Sequence, residues 1–171
     1  MKLSKILFFA LVFTLISCGG SDDDNNNDTT PITQNVTASI DVAALMSSGG
    51  TDASAFANFG QPAGVSNADF TTNVIAGDQI VFRGNSNSST NQRILVKAIE
   101  YVSGADLIEQ GILQVGDSTD FGDETLVIDV LDGGIDGDEI KYNLIFTIET
   151  NGVEDPQEYF IDPKIRIRSF R

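Results

Sequence analysis

Most of the chain beyond Gln34 is written in two-residue periods. Val36, Ala38, Ile40 and Val42 alternate with polar neighbours, as a strand with one buried face does. The pattern is clearest towards the C-terminus. Leu126, Ile128 and Val130 form one alternating set. Ile140, Tyr142, Leu144, Phe146 and Ile148 alternate with Lys141, Asn143, Ile145, Thr147 and Glu149, which predicts a long antiparallel strand with one core face. Ile165 and Ile167 point one way and Arg166 and Arg168 the other, and Pro163 places an edge or a bulge near the start of that strand. Ala68 to Ala76 and Gln79 to Arg83 read as two strands joined at Gly77-Asp78. Arg93 to Val102 has apolar residues on both faces, which predicts a central strand covered on both sides. Leu107 to Val115 supplies a further short strand or a turn.

Polar, Gly-rich breaks separate these segments at Gly84 to Gln92, Gly116 to Glu124, Asp132 to Asp138 and Asn151-Gly152. Ala43 to Gly64 is a long loop with room for one helical turn. Within it, Phe56 and Phe59 are either ligand-facing aromatics or residues that pin the loop to the core, and the second role is the commoner one for aromatics. Seven or eight short strands without a long amphipathic helix predict an all-β fold, an antiparallel β-sandwich, with a closed barrel as the alternative.

The first thirty residues follow other rules. Lys2 and Lys5 precede an apolar run, Ile6 to Ile16, broken only by Thr14. That is the layout of an export signal, and the run is shorter than the ~20 residues a membrane-spanning helix needs. Cys18 is the only cysteine of the chain, so it has no internal disulfide partner. Leu15-Ile16-Ser17-Cys18 resembles the bacterial lipobox. The resemblance implies cleavage before Cys18, a diacylglycerol thioether on its sulfur and an acyl group such as palmitate on its amine. Chains of that kind anchor a protein stably when two or more are present. Gly19 to Thr30, GGSDDDNNNDTT, holds no apolar residue and reads as a disordered acidic tether. Its Ser21-Asp22-Asp23-Asp24 run resembles the surface-export signal of Bacteroidota lipoproteins, which implies display outside the outer membrane. The predicted organisation is a cleaved signal at 1–17, a lipidated cysteine and tether at 18–30, and a β-sandwich domain at 31–171.

Charge narrows the partners. The 171 residues hold 25 acids and 10 lysines or arginines, a formal net charge of −15. Such a chain does not bind nucleic acid by neutralising phosphates. It has no histidine and one cysteine, which removes His-based triads, thiol nucleophiles and the common zinc and copper ligand sets.

Three stretches resemble the AidA/PixA-type inclusion-body proteins. They are Ala76-Gly77-Asp78-Gln79-Ile80-Val81-Phe82-Arg83, then Lys141-Tyr142-Asn143-Leu144-Ile145-Phe146-Thr147-Ile148, and finally Glu158-Tyr159-Phe160-Ile161-Asp162-Pro163-Lys164-Ile165-Arg166-Ile167. The resemblance covers Val74 to Phe170, implies a compact β-sandwich, and carries no catalytic residue over. Asp162-Pro163 reads as a turn before a strand.

The candidate chemistry is acidic. Asp132, Asp136 and Asp138 on a Gly-rich turn suit calcium, although Gly134 and Asn143 stand where an EF-hand loop needs ligands. Asp117, Asp120, Asp123 and Glu124 form a second acidic cluster. Two carboxylates at the right separation suffice for glycoside hydrolysis, but no positioned partner marks a pair. Lys97 and Lys141 read as residues of a solvated strand face. The expected function is therefore that of a non-catalytic binding or structural module, lipid-anchored at the outer membrane and exposed at the cell surface, with no cofactor. The loops Gly49 to Gly64 and Gly84 to Gln92 are its expected recognition elements, for glycans or for envelope and surface proteins. A carbohydrate-binding module, with or without calcium, is the alternative, and a small carboxylate-based hydrolase a further one.

Overall fold

Alternation becomes ten strands in the computed structural model, which describes residues 28–109, 112–115 and 124–170. In chain order they are β1 (Thr33–Ile40), a short helix α1 (Val42–Ser48), β2 (Ala57–Asn58), β3 (Thr71–Val74), β4 (Gln79–Ser86), β5 (Gln92–Gly104), β6 (Ile112–Val115), β7 (Glu124–Asp129), β8 (Glu139–Thr150), β9 (Val153–Ile161) and β10 (Lys164–Ile167). One sheet runs β2-β1-β4-β7-β6, and the other runs β3-β10-β8-β5, with β9 also on β8. The expected all-β sandwich stands.

Two details differ from the expected pattern. The sheets are mixed, because β1 pairs parallel with β4 and β10 pairs parallel with β3. The two strands joined at Gly77-Asp78 are not a hairpin. β3 belongs to one sheet and β4 to the other, so this corner carries the chain across the sandwich. Strands that cross in this way meet neighbours from distant sequence, and parallel pairing follows. The second difference is β5, which is an edge strand of its sheet. Its apolar run misleads because Ile94, Leu95 and Val96 are all buried, while a bulge between Val96 and Ala98 resets the alternation beyond them.

The core follows the two-residue period. Ile140, Tyr142, Leu144, Phe146 and Ile148 are buried along β8, as are Val36, Ala38 and Ile40 along β1. One cluster gathers Phe82, Tyr142, Leu126, Ile128, Ile140 and Ile165, with the Phe82 and Tyr142 rings 5.6 Å apart. A second gathers Ile40, Leu45, Ile94, Phe146, Tyr159 and Ile161, with Phe146 stacked on Tyr159. Gly84 lets the sheets close, because a Cβ there would collide with the Ile94 side chain. The helix α1 caps the second cluster with Val42 and Leu45, and Asp41 accepts the Ala44 N–H at its start.

The cross-over corner is fixed by a buried carboxylate. Asp78 has no exposed surface. Its Oδ1 accepts the Ile32 N–H at 2.9 Å, and its Oδ2 accepts the Ile75 N–H at 3.0 Å and the Gln34 side-chain amide at 3.3 Å. Its backbone carbonyl accepts the Val130 N–H at 2.8 Å, and Gly77, at φ +83°, donates to the Val130 carbonyl. The Tyr142 hydroxyl is the contrasting case, because it is buried and has no partner among the described residues. Burial pushes that phenol up from its ordinary pKa.

These two groups predict opposite results in denaturant unfolding. Asp78→Ala leaves the Ile32 and Ile75 N–H groups unpaired and is expected to cost about 2–4 kcal/mol. Tyr142→Phe removes an unpaired hydroxyl and is expected to leave stability unchanged or raised by about 1 kcal/mol. A larger loss in Tyr142→Phe than in Asp78→Ala would reverse the assignment.

Candidate functional site

Along one side of the sandwich, the start of β1 faces β3 across a seam. An open hollow of about 620 Å³ lies there, lined by Ile32, Gln34, Asn73, Val74, Ile75, Arg166, Arg168 and Phe170. Gln34 spans the seam and donates to the Asn73 carbonyl at 2.7 Å. Among the described residues no carboxylate lines the hollow, although acids outnumber bases 25 to 10 in the chain. The lining combines two guanidinium groups, two amides and apolar surface, with Ile32 and Phe170 each nearly half exposed. That chemistry suits an anionic group carried on a partly apolar or extended ligand.

Beside the hollow, the outer face of β10 and β8 carries an ion-pair row. Arg166 donates to one Glu139 oxygen through Nε at 3.1 Å and Nη2 at 2.5 Å, and Lys164 lies 3.7 Å from the other. Strand register explains the contact, since Arg166 sits directly opposite Glu139. The hydrogen bond from Arg166 holds the Glu139 carboxyl below its ordinary range, partial desolvation opposes this, and the Lys164 charge adds to the lowering. Lys141, opposite Lys164, pairs with Asp162 at 3.0 Å, and Asp162 also accepts the Ser54 hydroxyl. Lys97 pairs with Glu154 at 2.9 Å, and the hydrogen bond from Lys97, then that from Thr147, lowers the Glu154 pKa. Both strand lysines are therefore members of ion pairs.

The acidic turn between β7 and β8 uses its carboxylates separately. Asp138 accepts the Ile135 N–H. Asp136 accepts the Ser169 N–H and faces Arg168 at 3.6 Å. Asp132 joins neither. Asp132, Asp136 and Asp138, the expected calcium ligands, are thus placed separately, and among the described residues no three carboxylates gather around a common point. The turn ties the chain end back to β10, through Gly137 donating to the Ile167 carbonyl and Ile167 to the Asp138 carbonyl.

Both expected recognition loops are tied to the body of the sandwich. Phe56 and Phe59 pack against the cores, and Phe59 stacks on Phe70 with centroids 4.6 Å apart. Buried Asn67 pins the long loop by donating to the Ser54 and Ala57 carbonyls and accepting from Gln61. A smaller hollow of about 460 Å³ remains beside it, lined by Ser54, Asn58, Gln61 and Asp162 among others. The loop from Gly84 to Gln92 meets the start of α1, where the Ser88 hydroxyl donates to Asp41. Cys18, the Ser21 to Asp24 run, Asp117, Asp120 and Asp123 lie outside the described residues, as does the side chain of Glu124.

The fold and site define a two-sheet, mixed β-sandwich with a cationic seam. A solved structure of the same architecture is the inclusion body protein PixA from Burkholderia cenocepacia. It superposes with a TM-score of 0.63 at 12% identity, over 83% of this chain and 98% of that one. The likeness reaches beyond the Val74 to Phe170 half on which the sequence resemblance rests, and it shows the shared fold. No family model matches the chain, and no curated protein matches it.

The Glu139–Arg166 pair generates a pH prediction. A carboxyl whose pKa is lowered by folding adds stability above its unfolded value, and that stability is lost as pH falls through the folded value. The melting temperature should therefore fall as pH drops below about 4.5. Arg166→Gln removes the largest lowering influence, moves the Glu139 carboxyl back towards the ordinary range and should make that acid-side fall smaller. An unchanged slope in a pH series of thermal melts would show that the pair contributes nothing in solution, as many exposed pairs do.

Proposed function

We propose that this chain is a lipid-anchored lipoprotein of the outer membrane, displayed at the cell surface, whose β-sandwich is a non-catalytic binding or structural module. The observation that carries the reading is Leu15-Ile16-Ser17-Cys18, in which the only cysteine of the chain stands where a lipobox places it. The apolar run before it is too short to span a bilayer, and the acidic, Gly- and Asn-rich Gly19 to Thr30 separates it from the first strand. Among the described residues no helix is long and apolar enough to cross a membrane. The sandwich supports a module that works by surface contact. Its lysines and arginines on β8 and β10 are engaged in ion pairs, and the hollow beside β1 and β3 is open and lined by guanidinium, amide and apolar groups. Ligands that fit this hollow are anionic segments of envelope or surface proteins, or acidic glycans.

Cells fed an alkyne analogue of palmitate should label the full chain, and Cys18→Ser should abolish the label and release the protein from the membrane fraction. A tag after Arg171 should be lost when intact cells meet an external protease, with a periplasmic protein surviving as control. Persistent labelling of Cys18→Ser would contradict the anchor. A tag digested only after lysis would contradict surface display and leave the anchor standing.

A further inference from the structure

Strand edges expose unpaired N–H and C=O groups, and sandwiches protect them with charge, proline, bulges or brevity. β5 has two bulges and carries Arg93, Lys97 and Glu100. β9 carries Pro156 with Glu154, Asp155 and Glu158, and its far end is covered where Phe160 exchanges hydrogen bonds with Thr51 and Ala53. β3 has four residues, and at its edge the Asn73 carbonyl is taken by Gln34 and the neighbouring Ile75 N–H by Asp78. The first half of β1 has none of these devices. Thr33-Gln34-Asn35-Val36-Thr37 contains no charge, proline or bulge, and β2 pairs β1 only at Ser39 and Ile40.

The register shows which groups are open. Gln79 donates to the Ile32 carbonyl and Asn87 to the Ile40 carbonyl, so the even-numbered residues of β1 face β4. The backbone groups of Thr33, Asn35 and Thr37 therefore point away from the sheet, and their side chains are exposed. We propose that this edge pairs antiparallel with the same edge of a second copy of the chain, about a two-fold axis at Asn35, joining two five-stranded sheets into one.

Charge selects the occupant. Two copies of a chain at −15 repel at most approaches, and this five-residue strip lets them meet with no charge opposite another. The two-fold register makes the strip self-complementary. It sets Thr33 opposite Thr37 of the second copy in both halves, a favourable cross-strand pair, and closes about six main-chain hydrogen bonds. A contact of this size is weak, and higher salt strengthens it by screening the net charge.

The test uses the full chain in intact cells. In the proposed pair the two position-35 Cα atoms lie about 5.5 Å apart, inside the roughly 4.4–6.8 Å that a disulfide spans. Mild copper-catalysed oxidation of Asn35→Cys should give about tenfold more covalent dimer on a non-reducing gel than Val153→Cys, an exposed position at the start of β9 in the other sheet. The parent chain, which has only Cys18, sets the background. Thr33→Cys and Thr37→Cys should each give little dimer alone and cross-link when co-expressed, and this pair decides the matter should Asn35→Cys melt below the parent. Equal dimer from Asn35→Cys and Val153→Cys, or an adduct of Asn35→Cys with a protein of another mass, would overturn the proposal.

Discussion

A single carboxylate with no exposed surface holds the sandwich in register. Asp78 stands where the chain leaves β3 in one sheet and enters β4 in the other. Its two oxygens collect N–H groups from the start of β1 and the end of β3, and its own backbone is locked to Val130 after β7. Burying such a group is costly unless it is fully hydrogen-bonded, so the arrangement tolerates little displacement of any of these strands. Apolar packing brings the two sheets together without fixing their offset, and directional bonds at this corner supply what packing leaves open.

The seam beside that corner has two parts with different chemistry. On the β3 side, Gln34 and Asp78 occupy backbone groups that would otherwise be an open edge. On the β1 side, those of Thr33, Asn35 and Thr37 have no strand partner among the described residues. Between them lies a hollow whose charged lining, among the described residues, is Arg166 and Arg168. β10 supplies Arg166 between the buried Ile165 and Ile167, and Arg168 follows directly after it, so the position of the cationic groups is set by burial of their neighbours. Glu139 and Asp136 then orient the guanidinium groups from the far side.

Period-two patterning made the long strands legible, because one-face burial leaves its mark on every second residue, as in β1 and β8. Phe56 and Phe59 proved to be pins for the long loop, as their apolar surface favours. Pairing partners were less legible. The residues of Thr71 to Val74 and the apolar run Ile80 to Phe82 say that each segment is a strand and nothing about which sheet receives it, so the Gly77-Asp78 corner read as a simple junction. Asp78 is one acid among many in sequence, and only its burial distinguishes it. The converse holds for Asp132, Asp136 and Asp138. Their crowding on a Gly-rich turn resembles a cation loop, but backbone N–H groups and Arg168 take Asp136 and Asp138 one at a time. The seam hollow was not legible at all, since Gln34, Asn73 and Arg166 are far apart in the chain and meet only through the cross-over.

Native-state hydrogen exchange of individual amides tests the central role of Asp78 most directly. The Ile32 and Ile75 N–H groups lie outside the regular ladders and would exchange readily were the carboxylate only a local turn cap. The account predicts that they exchange only through global unfolding, with the same free energy as the Ile80 and Phe82 amides within β4, the strand that lies between β1 and β7. Exchange of Ile32 and Ile75 through local opening, while those core amides stay protected, would contradict it.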